Sequence, residues 1–239
     1  MKTTAKIKKP ELMAPAGDWI SLRAALDAGC DAVYFGIRGM NMRAGAENFA
    51  PSSMTRIARL CHAAGARAYL ALNTIVYEHE IKKIRRIISR AKQAGIDAII
   101  CWDFAVLQEA RRQDIPVSVS TQMSVSNAQA MLFLYRSFGA RRFVLARECS
   151  LDDIRNIQRS LKKALGKKAA EIEIEVFAHG ALCVSISGRC FLSQFLHNKS
   201  ANRGECLQPC RREYLVTEPV HGHSLALGNK YILSPRDLC

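Results

Sequence analysis

The stretch that decides the fold is "AKQAGIDAIICWD", residues 91–103. It runs from a helix-like segment through a glycine into a short apolar run. A glycine just past a helix end adopts left-handed backbone without a Cβ penalty, and a short apolar run after it reads as a buried strand. The same order recurs in "ALDAGCDAVYFG" (25–36), "CHAAGARAYLALN" (61–73) and "RSFGARRFVLARE" (136–148). "ELMAPAG" (11–17), "IPVSVSTQ" (115–122) and "EIEVFAHG" (173–180) supply further runs of the strand type. Together they predict seven strands near residues 11–14, 31–36, 67–73, 97–102, 116–121, 142–147 and 173–178.

Strict alternation of helix and strand predicts an α/β fold of the (β/α) TIM-barrel type rather than an open doubly wound sheet. No G-x-G-x-x-G follows the first strand, which argues against dinucleotide binding. Seven strands are one βα unit short of a closed barrel, so the expectation is an incomplete barrel, from a truncated or split gene product. Residues 1–182 form the partial barrel in this reading. Residues 183–239 form a cysteine-rich segment with a hairpin in "REYLVTEPVHGHSLALGNKYILS" (212–234).

Composition narrows the function classes. Of 239 residues, 49% are hydrophobic and 23% charged, the balance of a globular domain with a full core. No apolar run approaches the length of a membrane span, and the basic start lacks the apolar stretch of a secretion signal. A cytoplasmic location is expected, where the nine cysteines stay reduced rather than pair as disulfides. The net charge of +14 suits a polyanionic partner such as RNA. Part of that charge belongs to solvated helix faces, as with Lys82, Arg86 and Arg90 at four-residue spacing.

Chemistry in such a barrel sits at the C-terminal ends of its strands. Those ends carry Tyr34, Asn73, Asp103, Thr121, Gln122, Arg147, Glu148 and His179, a polar set that outlines a pocket. The cysteine segment begins at the same end. Cys30, Cys61, Cys101 and Cys149 fall in or beside predicted helices and strands and read as small hydrophobes. Cys183, Cys190, Cys206, Cys210 and Cys239 form a late group. Its spacings, C-x6-C and C-x3-C, are poor for a zinc ribbon. Irregular glycine-containing loops are compatible with an iron–sulfur cluster, and inert or redox thiols are the alternative.

These residues also carry a family likeness. "EVFAHGALCVSISGRCFLSQF" (175–195) followed by "NRGECLQPCR" (202–211) resembles the signature of peptidase family U32, the collagenase-like proteases. "PELMAPAGDWISLRAALDAGCDAVYFG", "LALNT", "VSTQMSVSN" and "FVLARECSLDDI" resemble the same family. The resemblance implies a barrel and a four-iron–four-sulfur cluster held by four cysteines. It further implies oxygen-independent hydroxylation of a pyrimidine base in tRNA or rRNA, or of a quinone-precursor ring. By motif, Cys183, Cys190 and Cys206 match ligands. Cys239 in "ILSPRDLC" matches the usual fourth, and Cys210 is the alternative. Family members continue past this point, so a second polypeptide completing the barrel is a further expectation. Within this reading Gln122, Arg147 and His179 line the substrate pocket. Arg147 would hold an anionic group and His179 would move a proton. The competing peptidase reading finds little support in the residues. "HEIKK" (79–83) has Lys83 where a zinc protease needs its second histidine, and only Cys183 with His179 could serve as nucleophile and base.

Overall fold

A computed structural model describes residues 9–42, 44–45, 47–180 and 182–227. Seven parallel strands follow one another in sequence order: β1 (Met13–Ala16), β2 (Ala32–Gly36), β3 (Arg67–Ala71), β4 (Ala98–Cys101), β5 (Val117–Val119), β6 (Arg142–Val144) and β7 (Glu173–Glu175). Each predicted strand is present and each pairs only with its sequence neighbours in this sheet. Helices α1 (Trp19–Asp27), α2 (Met54–Ala63), α3 (Ile81–Gln93), α4 (Phe104–Arg112), α5 (Ala128–Phe138) and α6 (Leu151–Leu165) fill the connections. This is singly wound (β/α) topology, a parallel sheet curled into a half-barrel. Beyond it come a short helix, α7 (Leu192–His197), and an antiparallel hairpin of β8 (Tyr214–Thr217) with β9 (Ser224–Leu227), as the sequence predicts.

Local sequence explains the elements. Asp18 accepts from the Ser21 amide and starts α1 with a reciprocal capping box, and Ser150 with Asp153 does the same for α6. Gly29, Gly65, Gly95 and Gly139 all have φ between 70° and 79°, the left-handed turns that the repeated motif requires. On α3, Ile84, Ile87, Ile88 and Ala91 are buried while Lys82, Arg86 and Arg90 are exposed, so this basic stripe is a solvated face. Full burial of each such isoleucine is worth about 1.5–3 kcal/mol.

The sheet has two apolar faces. The convex face packs on the helices through a large cluster that includes Phe35, Leu70, Ile99, Val119 and Phe143. The concave face carries a small one, Ala32, Tyr69, Ala98 and Ile100, with Met13 and Tyr34 against it. Strand alternation therefore sends every second residue into the barrel interior. Cys30, Cys61 and Cys101 are buried as small hydrophobes, and burial pushes the Cys61 thiol up to about 11. Among the described residues no helix is long and apolar enough to cross a membrane.

Candidate active site

The concave face encloses a cavity of about 230 Å³ at the C-terminal ends of the strands. Small inward residues make the room: Gly36, Ala71 and Ser120 line it. Of the polar strand-end residues expected there, Tyr34, Asn73, Thr121, Gln122 and Arg147 line the cavity. Arg147 stacks on Phe177, with its guanidinium carbon 4.2 Å from the ring centroid. Gln122 accepts a hydrogen bond from the Ser120 hydroxyl, and Thr121 donates to the Leu145 carbonyl at 3.1 Å. Asn73 accepts from the Met42 amide at 3.0 Å.

The other three expected residues stand elsewhere. Asp103 is a structural cap, accepting from Ala105 at the start of α4 and from the Val76 amide. Glu148 accepts from the backbone amide of Ser187 at 2.9 Å and from its hydroxyl at 2.7 Å. Burial raises the Glu148 pKa, but the two Ser187 hydrogen bonds outweigh it and leave the carboxyl below its ordinary value. His179 is exposed and is not among the residues lining the cavity.

The lining residues that the strand-end reading misses include Asn41, Glu47 and Asn48 after β2, and Glu175 and Phe177 in the last predicted strand. For Glu175 the signal was the alternation in "EIEIE" (171–175), which puts Glu173 and Glu175 on one face of β7. That face is the interior one. Arg142 of β6 donates to Glu11 at 2.6 and 2.9 Å and pairs with Glu173 at 2.6 Å. Its guanidinium lies 5.0 Å from the Tyr69 ring centroid. Glu175 Oε2 lies 3.6 Å from the same guanidinium. Burial is the main influence on Glu175, and despite Arg142 its pKa is raised.

The cysteine segment docks on this same end of the barrel through polar contacts. Ser187, only 1% exposed and at φ 34°, is held by Glu148. Arg203 forms a two-pronged ion pair with Glu80 at 2.8 and 2.6 Å, donates to the Ile75 carbonyl and stacks on Tyr77. Asn202 accepts from the Cys190 amide at 3.2 Å through its side chain, and its carbonyl accepts from the Ile75 amide at 3.3 Å. Gly204, at φ 86°, presses so closely on the Asn41 carbonyl and Ala44 that a Cβ there has no room.

These docks bring four thiols together. Burial raises the Cys210 thiol, and Cys183, Cys206 and Cys190 all act on it electrostatically. Among the described residues no three His, Cys, Asp or Glu groups stand close enough to share a single metal ion. The Leu192 amide donates to Cys190 Sγ at 3.3 Å, and the Gln208 amide donates to Cys206 Sγ at 3.4 Å. Backbone amides aimed at sulfur are the environment in which thiolates bind a cluster, and such hydrogen bonds tune its potential. A set of sulfur donors is the ligand type that iron in clusters takes. Cys239 lies outside the described residues.

The model of a family described as "Peptidase family U32" matches residues 17–239. A collagenase of Porphyromonas gingivalis is 46% identical over 231 residues, covering 95% of this chain and 55% of the relative. The tRNA hydroxylation protein P1 of Bacillus subtilis is 33% identical, covering 97% of this chain and 54% of the relative. The 23S rRNA 5-hydroxycytidine C2501 synthase of Escherichia coli is 36% identical, covering 98% and 34%. The chain thus spans about half, or less, of the length of these relatives.

Proposed function

The chain belongs to peptidase family U32, and from that membership we propose that it forms the catalytic part of a cytoplasmic iron–sulfur enzyme. Its reaction would be oxygen-independent hydroxylation of a pyrimidine base in tRNA or rRNA. The observation that carries this reading is the mutual electrostatic influence of Cys183, Cys190 and Cys206 on Cys210, on a segment that packs against Asn41 of the cavity lining, with backbone amides on two of the sulfurs. Cys183, Cys190 and Cys206 would hold a four-iron–four-sulfur cluster, with Cys239 or Cys210 as the fourth ligand. When bound, the cluster would supply electrons or activate an oxygen donor.

The chain's own residues would do the rest. The cavity, about 230 Å³, has room for a planar base, which would have to leave its stack to enter. Phe177 with Arg147 offers a stacking platform, and Arg147 also offers donors to an anionic group. Gln122 would orient the ring. His179, exposed beyond the cavity lining, would exchange protons with solvent. The +14 net charge favours RNA over a quinone precursor. Names of relatives that act on tRNA and rRNA support the same substrate class.

Purification without oxygen, followed by absorbance, iron and sulfide analysis, tests the cluster. Iron and sulfide in stoichiometric amounts, lost in Cys190→Ser but not in Cys101→Ser, are expected. A colourless, iron-free protein after reconstitution would sink the reading. Mass spectrometry of RNA nucleosides with and without the gene tests the substrate, and unchanged hydroxypyrimidine levels would remove RNA. A peptidase reading is favoured by the description of the family and by the 46% identical collagenase. Collagen cleavage by the anaerobic protein, abolished in Cys183→Ala, would put it first.

A further inference from the structure

The cysteine segment turns aromatic rings toward water where its charge is most one-sided. Phe191 is 75% exposed and Phe195 is 86% exposed. The Phe195 amide donates to the Phe191 carbonyl at 2.8 Å, so the two residues stand one helical turn apart and share a side of α7. Between residues 183 and 212 the sequence holds five lysines or arginines and one acid, Glu205. Arg203 is paired with Glu80. Arg189, Lys199 and Arg212 are exposed, and among the described residues no carboxylate pairs with them. The basic stripe on α3 differs, because no large apolar side chain of that helix is exposed. The segment also meets the cavity rim at two points. Ser187 Oγ accepts from the Arg147 amide at 3.3 Å, and Arg189 donates to Ser124 Oγ at 3.0 Å. Arg147 lines the cavity, and Ser124 follows the turn Thr121–Met123, of which Thr121 and Gln122 line it. Phe191 is two residues beyond Arg189, a span of at most about 7 Å between Cα atoms.

We propose that Phe191 and Phe195, with Arg189 and Lys199, form a platform for the single-stranded RNA that flanks the base in the cavity. This rests on the RNA reading above and adds the surface that holds the strand. The rings stack on flanking bases, and the two cations take phosphates of the same strand. Every base has a flat apolar face, so such stacking tolerates any sequence. Pairing hides those faces within a duplex, so the platform selects an unpaired loop or end. Arg189 fixes the register, since it stands at the cavity rim and carries an unneutralised charge. A second copy of the chain is the poorer occupant, because it would bring like charges together.

The test is fluorescence anisotropy with a labelled, unstructured RNA strand rich in cytidine and uridine, and with the same strand in a duplex. Each is titrated with the full chain purified without oxygen, from about 50 to about 300 mM potassium chloride. Wild type is expected to prefer the single strand. Phe195→Ala should weaken that binding about fivefold or more with an unchanged salt slope, because stacking releases no counterions. Arg189→Ala and Lys199→Ala should each reduce the slope of log affinity against log salt by about 0.7. Arg86→Ala, on α3, should change neither quantity. Iron content and thermal unfolding check that each variant is intact. Should Phe195→Ala lose iron or stability, Phe195→Leu decides, since leucine stays apolar but has no flat face. Wild type that binds the strand while Phe195→Ala and Arg189→Ala bind equally well overturns this proposal and leaves the RNA reading intact. Equal wild-type affinity for strand and duplex does the same. So does a dimer, seen by light scattering, that Phe195→Ala dissolves without changing RNA affinity. Wild type that binds no RNA removes the RNA reading, and this proposal with it.

Discussion

The half-barrel and the cysteine segment are built on opposite principles. The barrel buries Phe35, Leu70, Ile88, Ile99 and Phe143 completely or nearly so. The segment from 183 onward buries mainly small or polar residues, Ser187, Ser193, Ala201 and Asn202, while Phe191, Phe195 and Ile186 are exposed. One region is held by apolar area removed from water, the other, among the described residues, by oriented hydrogen bonds and the Arg203–Glu80 ion pair. Apolar packing tolerates small displacements at modest cost. Directional polar docks do not, so the segment's position on the barrel depends on single residues.

Substitutions should separate the two regions. The largest effect is expected for Phe143→Ala, a loss of about 3–5 kcal/mol in urea unfolding as the barrel core is hollowed. It should unfold both regions together, and a smaller loss would mean the barrel relaxes around the gap. Glu80→Ala comes next, at about 3 kcal/mol, the low end for breaking a buried pair because Arg203 is 20% exposed. Here hydrogen exchange should rise across 183–212 while β2 to β4 stay protected. Uniform exchange instead would show that the regions form one cooperative unit. Gly204→Ala should cost about 2 kcal/mol through the positive φ and the collision with Asn41, with the same localised exchange pattern. Arg86→Ala, on the solvated face of α3, should change stability by less than about 0.5 kcal/mol.

Acid should loosen the same contacts. Burial raises the Glu80 carboxyl, but the Arg203 hydrogen bonds and the Tyr77 amide outweigh it, so its folded pKa is lowered. A lowered pKa means stabilisation that is fully present above the unfolded value and is lost as pH falls through the folded one. Glu148 behaves alike. Proteolysis within 183–212 should therefore increase as pH drops below the ordinary carboxylate range. Glu80→Gln should abolish its share of that dependence.

The sequence made the barrel legible because its signals are local. A glycine after a helix and an apolar run beyond it sit within a dozen residues; four of the seven strands are found this way, and the other three show as short strand-type runs. The docks are not local. Arg203 and Glu80 lie 123 residues apart, and no pattern in either neighbourhood announces the pair. The site was partly legible. Five of the eight strand-end residues line the cavity, because a polar residue ending an apolar run in a barrel has few other places to point. Glu148 and Asp103 were visible as polar ends but serve the backbone, which their sequence neighbourhood does not distinguish. Glu175 was missed because alternating glutamates ordinarily mark a solvent face. Only the arrival of Arg142 from the neighbouring strand makes an interior face of them.

Gly204 rests against the backbone of Asn41, and the Asn41 side chain is itself part of the cavity lining, donating to Ile37 and Asn48. One loop thus bears on the thiols from one side and on the cavity from the other. Thermodynamic linkage then makes any influence mutual. If filling the thiol site shifts this loop and tightens ligand binding in the cavity by some factor, filling the cavity must tighten the thiol site by the same factor.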